Sequence, residues 1–257
     1  MSRKAAVRHS KKAMITRNGR SLLGVGLYPL PQAARLLSFS AEYKVSPQKL
    51  RRWAVGYDWG ASGGKRHSAG IVMPEIKLDE FSILSFADLI EMLWVAAFRR
   101  EGVSLPVIRA AHTRAMRSLC TPHPFRHYKF NTDGKGIFHQ LTADEIGPEL
   151  SKSRVVEEVQ RSQVVFDRVV EPLYKNLKYV HNVVDQLWPL GQDALVVLDP
   201  KKSFGQPIEP TSGVPTYILF STYRGGEDPE AIATDFRAPL EGVNDAIKYE
   251  EALLEAA

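Results

Sequence analysis

The chain has 257 residues, of which 44% are hydrophobic and 25% charged, with a formal net charge of +5. This is the composition of a packed globular protein and argues against a disordered or fibrous one, and no run approaches the ~18 apolar residues that read as a membrane helix. A single cysteine, Cys120, excludes an internal disulfide and a cysteine-rich metal site, and suits a reducing cytoplasm.

The net charge hides an asymmetry. Residues 1–66 hold fourteen Lys and Arg against two acidic residues, whereas residues 199–257 hold five against eleven Asp and Glu. A dense positive field at one end attracts a polyanion and speeds encounter with it. The acidic end repels nucleic acid and suits a protein partner. Residues 1–27 read as a basic flexible tail, either a polyanion-binding arm or a solubility tail. The apolar stretch at 22–30 is short, broken by Gly and Pro, and lacks a small-x-small cleavage site, so it is not read as a secretory signal.

Residues 31–37 predict a short helix with Ala33, Leu36 and Leu37 on one face. After Val45, which seven residues (38–44) separate from Leu37, Ser46-Pro47 opens a second helix, with Ser as N-cap and Pro at the first helical position. Leu50, Trp53 and Ala54 form its buried stripe, leaving Gln48, Lys49, Arg51 and Arg52 on the remaining surface. Such a face supplies base-edge donors and cations for phosphates, as a DNA recognition helix requires. Residues 56–76 are glycine-rich and carry Lys65 and Arg66, which reads either as a DNA-tracking wing or as a plain surface loop. A wide apolar stripe from Phe86 to Phe98, capped by Ser85 and stopped by Gly102, predicts a long helix. Ser104 is expected to cap the next, on which His112 reads as a core histidine.

Within 121–194, residues 123–139 read as a β-hairpin around Asp133-Gly134. His123, His127 and His139 invite a metal, but no carboxylate or cysteine completes a ligand spacing, so no metal and no cofactor is expected. Residues 154–179 read as helical, with a partial apolar stripe of Val164, Val165, Val169, Leu173 and Leu177 broken at Pro172. The last part, 195–257, predicts a short buried strand at 195–198 and three short helices at 215–223, 228–236 and 242–255. No catalytic motif of hydrolases, zinc proteases or dinucleotide enzymes is present, so an enzyme is not expected.

Two stretches resemble known families. Ala34-Arg35-x-Leu37, then Ser46-Pro47-x-x-Leu50-Arg51-x-Trp53, with the helical pair that follows, resembles the DNA-binding half of MerR-like regulators over about residues 30–120. The order Asp199-Pro200, Gly205-x-Pro207, Thr211-Ser212-Gly213-x-Pro215-Thr216, Gly226-x-x-x-Glu230-x-Ile232-Ala233-x-Asp235-Phe236 resembles a trihelical helix-turn-helix domain of unknown function common in toxin–antitoxin operons. There the family's Gly-Thr-Arg is replaced by Thr211-Ser212-Gly213, and the turn is expected to survive on Gly213.

The two together resemble VapB-like antitoxins. The resemblance implies a mainly α fold in four parts: the tail at 1–27, a winged MerR-like helix-turn-helix domain at 28–120, a hairpin-plus-helix connector at 121–194, and a small homeodomain-like domain at 195–257. It further implies a homodimeric cytoplasmic antitoxin of a type II pair. Such a protein neutralises a toxin, expected to be a PIN-domain ribonuclease, and represses its own operon by binding double-stranded DNA. Gln48, Lys49, Arg51, Arg52, Lys65 and Arg66 are the expected DNA contacts, although the C-terminal helix-turn-helix also competes for that role. The alternatives are a free-standing MerR-like transcriptional regulator and a protein-binding adaptor with an incidental basic face.

Overall fold

The computed structural model describes residues 22–60, 66–72, 74–78, 81–147 and 150–255. Most of the expected tail, and Lys65, lie outside the described residues. Residues 22–27 are tied down: Leu27 N donates to Phe204 O and Phe86 N donates to Val25 O.

The molecule is mainly helical, with small antiparallel sheets. After β1 (Tyr28–Pro29) come α1 (Leu30–Ser40) and α2 (Pro47–Val55). The first helix extends three residues beyond its expected end, which accounts for the long spacing between Leu37 and Val45. Ser38 Oγ then seals the connection by donating to Ala34 O while accepting from Val45 N. Next come β2 (Gly56–Trp59) and β3 (Arg66–Ala69), paired as an antiparallel hairpin in the glycine-rich segment. Strands β4 (Ile76–Leu78) and β5 (Phe81–Leu84) form a three-stranded sheet with β1, in the order β1-β5-β4.

The expected helical pair is present as α3 (Phe86–Arg100) and α4 (Leu105–Leu119). Ser85 and Asp88 close a capping box at the start of α3. Ser104 holds the N-cap position of α4, but its hydroxyl makes no capping bond; its backbone N–H donates to Glu158 instead. Every residue from Phe86 to Phe98 is buried, including Asp88 and Glu91. The sequence predicts one apolar stripe, whereas the structure surrounds the helix on all sides. Cys120 is exposed in the left-handed region at φ 50°, where α4 ends.

The hairpin expected at 123–139 is a correction: these residues form α5 (Tyr128–His139). The buried set Phe130, Gly134, Ile137 and Phe138 recurs at helical spacing. Gly134 marks a close approach, not a turn, because a Cβ there would lie 2.5 Å from Phe166 Cζ. A short helix, α6 (Ala143–Ile146), leads to α7 (Lys152–Asn176). The helix runs through Pro172 and ends three residues before its expected end, where a strand takes over. Pro172 and Arg168 are both exposed, so solvent can reach the carbonyl that proline leaves without a donor. The true hairpin of this region is β6 (Leu177–Val180) with β7 (Val183–Leu187), turning at His181 and Asn182, both at positive φ.

The expected strand at 195–198 contracts to β8 (Val197–Leu198), which pairs with β7 and with β9 (Pro207–Ile208). The last three helices appear as expected: α8 (Thr216–Arg224), α9 (Pro229–Asp235) and α10 (Leu240–Glu255). Among the described residues two apolar clusters form. The larger runs from Tyr28 to Leu198 and recruits Tyr249 from α10. It is centred on packed rings that include Trp94, Phe98, Phe125, Phe130 and Phe166. The smaller contains Leu219, Ile232, Val243, Ala246 and Ile247.

Candidate nucleic-acid interface

The sequence places α2 by its cap. Ser46 Oγ accepts from Lys49 N at 3.1 Å, Pro47 occupies the first turn, and Leu50, Trp53 and Ala54 enter the core. Gln48, Arg51 and Arg52 are exposed and Lys49 is half-buried. Four of the six expected contacts therefore share one short helix. Arg66 pairs through its backbone with Trp59 in the hairpin, but its side chain, like Lys65, lies outside the described residues.

Two of the cations are held over rings. Lys49 Nζ donates to Lys44 O at 2.9 Å and sits 4.9 Å from the centroid of Tyr43, which is stacked on Trp53. The Arg52 guanidinium lies 5.6 Å from the Tyr57 ring on β2. Such contacts restrain long flexible side chains while leaving their charge available. Tyr43, Lys49, Arg52, Trp53, Tyr57 and Arg99 line a groove of about 350 Å³.

The β2–β3 hairpin is fixed to the end of α2 by two glycines. A Cβ on Gly56 would stand 2.3 Å from Ser68 O, and one on Gly70 would stand 2.2 Å from Ala54 O. Gly56 also sits at φ 85°, a region side chains disfavour. Ile71 N donates to Trp53 O at 2.7 Å, and Arg109 on α4 donates to Ser68 Oγ at 2.9 Å. Across the hairpin, exposed His67 and Asp58 pair at 2.7 Å. Sequence reasoning does not single out Tyr43, Tyr57, Arg99 or Arg109. Arg99 lies in the last turn of a helix 47 residues beyond Arg52, and no local pattern connects them.

The three histidines are not brought together. His123 Nε2 lies 3.0 Å from Asp88 Oδ1, His127 Nδ1 accepts from Lys129 N at the start of α5, and His139 borders a separate groove beside Leu141 and Val159. Among the described residues no group of His, Cys, Asp and Glu is placed to hold a metal. Burial opposes charge on His123. The hydrogen bond to Asp88 and the negative charges of Glu91, Asp88 and Glu75 outweigh it and raise its pKa. His112 is buried as expected, with Nε2 3.1 Å from Glu91 Oε2 but off the line of a hydrogen bond.

In the C-terminal part the motif residues knit loop to helix. Buried Glu209 accepts from Thr211 N, Ser212 N and Ser212 Oγ, and Gly213 takes φ 72°, so the turn forms as expected. Gly205 leaves room for Tyr28, whose hydroxyl donates to Gly205 O at 2.7 Å. Asp199 accepts from Lys201 N and Gln186 Nε2. Asp228 caps α9 by accepting from Glu230 N. Glu227, Asp228, Glu230, Asp235, Glu241, Glu251 and Glu255 remain exposed, which makes this end an acidic surface. Among the described residues no helix is long and apolar enough to cross a membrane.

No protein-family model matches the chain. Over 230 residues it is 26% identical to a Mycobacterium tuberculosis protein named "Putative antitoxin VapB45", with 87% of this chain and 93% of that protein covered. The X-ray crystal structure of Rv2018 from Mycobacterium tuberculosis matches with a TM-score of 0.65 at 25% identity, covering 88% of this chain and 98% of that one.

Proposed function

We propose that the protein is the antitoxin of a type II toxin–antitoxin pair. The observation that carries this reading is the likeness to a protein of that name over nearly the full length of both chains. A likeness of that extent includes the basic helical part and the acidic trihelical part together, and does not rest on one shared module.

In this reading the cytoplasmic protein acts as a homodimer and divides its work between its ends. The N-terminal part, 28–120, grips operator DNA as a winged helix-turn-helix, with α2 as recognition helix and the β2–β3 hairpin as wing. Gln48, Lys49, Arg51 and Arg52 contact the duplex from the helix, and Lys65 and Arg66 from the hairpin. The exposed face of α2 and its firm joint with the hairpin support that assignment. The acidic surface at 195–257 faces the toxin, a PIN-domain ribonuclease, and the segment 121–194 connects the two.

The test is a growth assay in a heterologous bacterium. The neighbouring gene is induced alone and together with this protein. Arrest by the neighbour and rescue by co-expression is the expected result. A harmless neighbour overturns the antitoxin reading and leaves a free-standing MerR-like regulator in its place. The DNA assignment has its own check: Lys49→Ala with Arg52→Ala should weaken operator binding and reduce its salt slope by about one per lost phosphate contact. An unchanged slope refutes it.

A further inference from the structure

The groove beside α2 gathers three cations and three rings in one concavity of about 350 Å³. Among the described residues, Lys49, Arg52 and Arg99 have no carboxylate within ion-pair distance. Lys49 uses one donor on Lys44 O, and Arg99 uses one on Val103 O. An ammonium has three donors and a guanidinium five, so most of their hydrogen-bonding capacity is unspent. Like charges facing one concavity repel unless an anion joins them. Beside them the half-buried Tyr43, backed by the buried Trp53 ring at 21°, and the exposed Tyr57 offer ring surface. Cations for phosphate oxygens and aromatic faces for a base are the two halves of nucleotide recognition. The volume falls within the range of small-molecule sites.

We propose that this groove is a site for one nucleotide unit, a phosphate with its base, held by Lys49, Arg52 and Arg99 and stacked against the neighbouring rings. The unit is presented either by DNA or as a free nucleotide. In the first case the inference rests on the DNA-binding reading and deepens it: Arg99 joins the interface, and the exposed Arg51, outside the groove lining, is left for base edges.

The experiment uses the full chain and the variants Lys49→Gln, Arg99→Gln and Arg51→Gln. Fluorescence anisotropy follows a labelled duplex of about 20 bp across a salt series, and calorimetry follows deoxyadenosine 5′-monophosphate. Lys49→Gln and Arg99→Gln should each cut mononucleotide affinity at least about tenfold and lower the duplex salt slope by about one, whereas Arg51→Gln leaves mononucleotide binding unchanged. A lowered slope without mononucleotide binding supports the site and assigns it to DNA alone. Mononucleotide binding that responds to the variants, with no duplex binding by the wild type even at low salt, supports the site and overturns the DNA reading. Duplex binding indifferent to both Lys49→Gln and Arg99→Gln overturns the groove and leaves the DNA reading standing. No binding of either probe overturns both. Arg99 also sits favourably at the C-terminus of α3, so Arg99→Gln removes a stabilising charge as well as a ligand contact; Lys49→Gln, in the first turn of α2, gives the same readout independently.

Discussion

Glu91 and Asp88 show how single residues hold this chain together from inside. Both are buried on α3. Glu91 accepts from the backbone N–H groups of Phe125 and Arg126, and Asp88 accepts from Ser85, Glu75 and His123. They therefore anchor the segments before α3 and after α4 onto the same helix. Glu91→Ala strands the buried donor of Phe125 and the half-buried donor of Arg126, so it should cost about 2–5 kcal/mol in urea unfolding. His123 adds a pH dependence. Its pKa is raised in the folded state, so its stabilisation is complete below the unfolded value of about 6.5 and fades as pH rises through the folded value. The melting difference between wild type and His123→Gln should be largest near about pH 5.5 and shrink toward about pH 8.5; a constant difference would refute the pairing. Apart from the cap at Ser85, this is not legible in sequence. A carboxylate in an apolar stripe reads as surface, and His123, Phe125 and Arg126 lie more than thirty residues from the carboxylates that hold them.

At the scale of elements, α5 separates local signal from packing. Asp133-Gly134 is a strong hairpin signal, and it loses to the apolar period that buries Phe130, Gly134, Ile137 and Phe138 together. Two glycines on this helix should respond with opposite sign. Gly136 is exposed, and a methyl added there would meet nothing within 4 Å, so Gly136→Ala should stabilise by about 0.5–1 kcal/mol through helix propensity. At Gly134 the same gain is set against a collision with the Phe166 ring, and overpacking costs about 1–3 kcal/mol, so Gly134→Ala should destabilise. Paired thermal melts decide it, and stabilisation at both sites would refute the close packing of α5 on α7. Where cap and period agree, as at Ser46-Pro47, Ser85 and Asp228-Pro229, the element forms where the sequence places it. Strands are the harder reading, because a short strand such as β1 draws its order from a partner distant in sequence.

At the scale of the whole molecule, the charge asymmetry is readable from residue counts. The candidate interface is half readable. Ser46 to Trp53 announces a helix with a cationic face, but the rings and Arg99 that make a groove of it arrive from other elements. The contact between the ends of the chain is not readable at all. Phe39 meets Tyr249 edge-on at 5.4 Å, and Tyr28 reaches Gly205, although 177 residues separate the latter pair. Because α10 packs on α1, Tyr249→Ala should cost about 3–5 kcal/mol and weaken the first part of the chain as well as the last. Hydrogen exchange would show this as lost protection in α1; protection lost only in α8 to α10 would mean the two ends are energetically independent.

That contact also has a consequence in time. A ribosome adds roughly 5–20 residues per second, so Phe39 emerges about 10–40 s before the ring that covers it. Until then α1 exposes an apolar edge, and until Gly205 emerges Tyr28 lacks its acceptor as well. A nascent or prematurely terminated chain is thus distinguishable from one that has reached Tyr249 by the uncovered surface of α1.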